Sequence, residues 1–95
     1  MATDFTGVED LPATRSETSI TTSTITATDL IGRIHVRCTQ SFEWSTSTGG
    51  ADVPADADVW TQVWERAGNR DLRNYEISIT LSASGDMFVK AEGLR

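Results

Sequence analysis

A single cysteine, Cys38, a single histidine, His35, and two prolines are all that this 95-residue chain holds of those residue types. One cysteine cannot close an internal disulfide, which excludes a disulfide-stapled secreted module. The N-terminal stretch MATDFTGVED has neither a basic nor an apolar segment, so no signal peptide is expected. No apolar run approaches the roughly 20 residues that a membrane-spanning helix needs. Cations are in deficit, with eight Lys and Arg against fourteen Asp and Glu, giving a net charge of −6. A nucleic-acid binder needs a basic surface to meet phosphates, so neither nucleic acid nor membrane is an expected partner.

The chain does have hydroxyls: nearly a quarter of its residues are Ser or Thr. That composition disfavours helix and suits strands and turns. Residues 1–17 are polar and without periodicity, and they read as an extended N-terminal arm, or as a frayed terminus. Phe5, Val8 and Leu11 fall at intervals that suit anchoring in a partner's groove. From Thr18 the pattern turns to strand, and residues 18–95 read as one β-domain. SITTSTITA is weakly hydrophobic on both faces, as an edge strand would be. RIHVRCTQSFEW alternates, with Ile34, Val36, Cys38, Phe42 and Trp44 on one face and Arg33, His35, Arg37 and Thr39 on the other. Gln40 and Ser41 interrupt that alternation and mark a bulge or break.

STSTGGADVPADAD reads as a loop and VWTQVWER as a strand, with a turn region around Gly68 and Asn69 after it. YEISITLS alternates again, with Tyr75, Ile77, Ile79 and Leu81 inward. ASGD then reads as the turn of a hairpin whose second strand is MFVKAEG. Short strands at about ten-residue spacing, with no helical pattern, predict a small antiparallel β-sandwich or barrel of five to seven strands. The expected core is Ile34, Val36, Cys38, Val59, Val63, Tyr75, Ile77, Ile79, Leu81 and Val89.

Chemistry-bearing residues are sparse. His35 lies between two arginines on a polar strand face, with no nucleophile patterned beside it. Cys38 alternates with Val36 and reads as a buried, inert thiol. Asp52, Asp56 and Asp58 crowd one loop, but the EF-hand spacing with its terminal Glu is absent, so a solvated acidic loop is expected rather than a metal site. Gly49-Gly50 is followed by no Lys-Ser/Thr, which excludes a phosphate loop. No cofactor, no metal and no catalytic residue is expected.

Two features remain. All three tryptophans lie in FEWSTSTGGADVPADADVWTQVW. A regular strand there puts Val59, Thr61 and Val63 on one face and Trp60, Gln62 and Trp64 on the other, so both faces carry large apolar groups. Either the strand is covered on both sides by its own fold, or Trp60 and Trp64 meet another chain or stack on a sugar. Arg33, His35 and Arg37 form a basic stripe on an acidic protein. It reads as a solvated face or as a docking stripe for an acidic surface.

The order of these features resembles the small β-sandwich virion proteins of tailed bacteriophages. TSITTSTITATDL is followed by IGRIHVRCTQSFEWSTSTGG, a long acidic loop, a mid-chain strand ending in a Gly-Asn turn, and YEISITLSASGDMFVKAEG. The similarity spans about Thr18 to Gly93 and implies no binding residue at a particular position. It implies a protein without catalytic groups, placed in the virion after synthesis in the host cytoplasm, as a capsid decoration (cement) protein or a head-tail or tail component. Its partners would be a major capsid or tail protein and copies of itself, in a homo-oligomeric assembly. A carbohydrate-binding module using Trp60 and Trp64 is the alternative.

Overall fold

A computed structural model describes residues 2–7, 9–28, 32–46, 51–66 and 74–93. The chain is all-β, and no helix occurs among the described residues. Among the described residues seven strands follow in order: β1 (Ala2–Thr6), β2 (Ala13–Thr28), β3 (Gly32–Cys38), β4 (Phe42–Thr46), β5 (Val53–Ala55), β6 (Thr61–Arg66) and β7 (Asn74–Gly93).

Two strands dominate. β2 runs for 16 residues and β7 for 20, and they pair antiparallel from Thr28↔Asn74 to Ala13↔Ala91. Both are long enough to belong to two layers, with the corner between the layers turned inside the strands. In layer one, the first half of β7 lies between the second half of β2 and β4, and β1 and β5 extend the two sides. In layer two, the second half of β7 lies between the first half of β2 and β3, and β6 pairs with β3. All pairs are antiparallel except β1 with β2, which is parallel and makes the sheet mixed.

The hairpin expected at ASGD does not form: the chain runs through Ala83–Asp86 as one bent strand. The odd-numbered residues face inward on both sides of the bend, from Ile77, Ile79 and Leu81 to Met87, Val89 and Ala91. At the bend the odd-numbered positions hold only Ala83, which is exposed, and the half-buried Gly85. A Cβ on Gly85 would lie 2.7 Å from Thr39 Oγ1 and 2.8 Å from Gln40 Cγ. Thr39 pins the corner, because its N–H donates to the Asp86 carbonyl at 3.0 Å and its hydroxyl accepts from the Asp86 N–H at 2.9 Å.

β2 bends opposite, through register shifts on either side of Ile20. Ser19 there has φ 55°, and its N–H donates to Asp86 Oδ1 at 3.1 Å. The irregularity changes the phase of the strand, so that Ile20 and Ile25 are both buried although five residues apart. The expected edge character of β2 holds only in part: over residues 24–28 it lies between β1 and β7, and over residues 13–23 its described partner is β7 alone.

The expected arm is also corrected. Residues 2–6 form β1, and Phe5 is fully buried in the core rather than presented to a partner. Leu11 is half-buried against that core, and Val8 lies outside the described residues. The boundary expected after residue 17 falls inside β2. β1 is tied down by Glu17, whose Oε2 accepts from the Thr3 hydroxyl at 2.5 Å and the Ser23 hydroxyl at 2.7 Å.

The core between the layers contains the expected Ile34, Val36, Cys38, Val63, Ile77, Ile79, Leu81 and Val89, together with Phe42, Met87 and Trp64. Tyr75 packs against its margin. Val59 does not belong to it, being 52% exposed. The break expected at Gln40-Ser41 separates β3 from β4. The turn expected around Gly68 and Asn69 and the Gly49-Gly50 pair lie outside the described residues.

Candidate interaction surface

Strand alternation places Arg33, His35 and Arg37 on the outward face of β3, because Ile34, Val36 and Cys38 take the inward one. Their cross-strand partners on β7 are Glu92, Lys90 and Phe88 respectively. Thr14 and Ser16 of β2 continue the rows beyond Lys90 and Phe88. Trp60, just before β6, lies over this face.

The fate of the two expected tryptophans is decided by one bulge. Ile34 pairs with Trp64 and His35 with Gln62, which leaves Val63 without a partner on β3. The extra residue resets the alternation, so Val63 and Trp64 are both buried although adjacent. Trp64 is only 8% exposed and packs 6.0 Å from the Tyr75 ring, so it is a core residue and not a partner-binding one. Trp60 is 41% exposed.

Trp60 is surrounded by cations. The Lys90 ammonium lies 4.4 Å from the centre of its ring, and the Arg37 guanidinium 5.5 Å from it. Arg37 also stacks on Phe88 at 4.4 Å. A half-buried cation over an aromatic face gains electrostatic attraction while keeping donors free at its rim.

The basic stripe is balanced by the chain's own acids. Arg33 Nε donates to Glu65 Oε2 at 2.6 Å, His35 Nδ1 lies 3.8 Å from Glu92 Oε1, and Arg37 lies 3.9 Å from Asp58 Oδ1. Arg33 and Glu65 are well exposed, so their pair is worth only about 0–1 kcal/mol. Lys90 has no ion-pair partner among the described residues, and the Arg37 pair is long. Beside Trp60, Lys90 is thus the cation without an ion-pair partner among the described residues, while Arg37 shares its charge with Asp58.

The loop acids Asp52, Asp56 and Asp58 are all exposed, and among the described residues no group of three or more His, Cys, Asp or Glu side chains could hold a metal ion. Burial pushes the Cys38 thiol up to about 11, against the opposing pull of the Arg37 charge. The thiolate, which is the reactive form, is therefore scarce at neutral pH.

The surface thus brings together Arg37 and Trp60, expected as site residues, with Arg33 and His35 on its flank. It leaves Phe5, Leu11 and Trp64 in or against the core. Lys90 and Phe88 were not expected here. Alternation in MFVKAEG puts both outward, but only the β3–β7 register sets them beside His35 and Arg37. No protein-family model, curated protein or solved structure matches the chain.

Proposed function

We propose that the chain is a structural component of a tailed-phage virion that acts by protein-protein binding alone, on the capsid lattice or the tail. The observation that carries this reading is Trp60: a large aromatic held at the surface by Arg37 and Lys90 instead of joining a core that has room for Trp64 four residues on. Tryptophan and arginine are the residue types that most often anchor protein interfaces. Many copies on a symmetric shell would add modest contacts into firm attachment. The order of sequence features that resembles small virion proteins supplies the particle.

The carbohydrate reading needed Trp60 and Trp64 side by side on one face. The bulge at Val63 removes Trp64 from that face, which leaves a single exposed ring where a two-ring platform was expected. Mass spectrometry of purified particles tests the proposal. The chain is expected in the particles at a fixed stoichiometry to the major capsid or tail protein. Its absence from particles, with presence in the lysate, would overturn it.

A further inference from the structure

A concavity of about 370 Å³ lies between β4, β5 and the first half of β7. Its apolar lining comes from exposed Pro54, half-buried Ala55 and the largely buried Phe42 and Leu81. Ser41, Thr80 and Ser82 add hydroxyls, and Glu43 and Asp56 line it as exposed carboxylates. No cation lines it. Its size falls in the range of pockets that take a ring-sized group. Trp60 does not line it, being engaged with Arg37 and Lys90 on layer two.

The two surfaces are complementary. One presents an indole flanked by two cations, and the other an apolar hollow flanked by two carboxylates. A buried aromatic anchor inside a charged rim is the usual anatomy of a protein interface. Copies of net charge −6 repel at long range, so close approach needs local pairing of this kind, which also sets the register.

We propose that Trp60 of one copy, with Arg37 and Lys90 beside it, docks into the Glu43–Asp56 groove of a second copy, so that the chain assembles head to tail. The proposal rests on the assembly reading above and names the contact. Because donor and acceptor patches lie on different layers, each copy gives to one neighbour and receives from another, and such contacts close into rings or continue as filaments.

The test uses two double variants of the full chain, Trp60→Ala/Lys90→Glu and Glu43→Lys/Asp56→Lys. All four positions are at least partly exposed, and thermal melts check that both variants fold; Trp60→Ala alone serves if the first does not. In sedimentation velocity the wild type is expected to associate as concentration rises. Each variant alone should need at least tenfold more protein to do so. An equimolar mixture retains one intact contact and should form a 1:1 pair and stop there. Variants that associate like the wild type, or a mixture that forms no pair, would overturn the contact. A wild type that stays monomeric at every concentration yet sediments with particles would overturn it too, and would leave the virion reading standing. Head-to-tail association of a chain missing from particles would do the reverse.

Discussion

In the first half of β7 the outward residues are Glu76, Ser78, Thr80 and Ser82; in the second half they are Phe88, Lys90 and Glu92. The inward residues of the two halves are alike, Ile77, Ile79 and Leu81 against Met87, Val89 and Ala91. One strand therefore gives both layers the same kind of interior and different exteriors. Layer one is hydroxylated and acidic outside, while layer two is aromatic and cationic. The inside is what folding requires of either layer, so the contrast outside is where a difference in role can be expressed.

The largest test of that contrast compares the two tryptophans on either side of the bulge. Trp64→Ala should cost about 3–5 kcal/mol, because it empties a core site. Trp60→Ala should change stability by about 1 kcal/mol or less, since its side chain is substantially exposed. Denaturant unfolding of the two variants checks both values. Equal costs would mean that the bulge does not divide core from surface. Phe5→Ala belongs with Trp64, at about 3–5 kcal/mol, since its side chain is fully buried in the core. A loss below about 1 kcal/mol in the same assay would restore the detachable arm.

The corner between the layers is the next target. Gly85→Val should destabilise by about 1–3 kcal/mol, because a Cβ meets Thr39 and Gln40 inside van der Waals distance. An unchanged melting temperature would show that the bend is not tightly packed.

A smaller effect concerns pH. The Cys38 thiol is raised from 9.0 to about 11 in the fold, so the folded state holds its proton more tightly than the unfolded state does. Its contribution to stability is whole below pH 9 and is lost as pH rises towards 11. Unfolding curves of the wild type and Cys38→Val should diverge over that window, with the wild type falling faster. Parallel curves would show that Cys38 is solvated. Smallest of all, Lys90→Glu should shift stability by no more than about 1 kcal/mol, since Lys90 has no ion pair to lose within the described residues and its contact with the Trp60 ring is a cation–π pair at the surface. The same change should weaken assembly, which separates the exterior from the fold.

The contrast inside and outside was only partly legible in the sequence. Alternation in RIHVRC and YEISITLS was enough to assign Ile34, Val36, Cys38, Ile77, Ile79 and Leu81 inward and the Arg33–Arg37 stripe outward, because a regular strand has one period. Three irregularities hid the rest. SGD has turn chemistry, yet it serves as a bend inside β7, where the ladder to β2 shifts register on either side of Ile20. Ser19, in a left-handed conformation, changes phase in a Thr-rich strand whose two faces look alike. The bulge at Val63 resolves a pattern that put large apolar groups on both faces of one strand. The cluster of Trp60, Lys90, Arg37 and Phe88 depends on the register between β3 and β7, which no local pattern encodes.

The central claim is that Trp60 is a surface anchor which becomes covered on assembly, while Trp64 is core throughout. Oxidative footprinting of both indoles, in free protein and in assembled particles, tests it directly. The account predicts that Trp60 is labelled in the free protein and protected in the assembly, with Trp64 protected in both. Trp60 labelled equally in both states would contradict it.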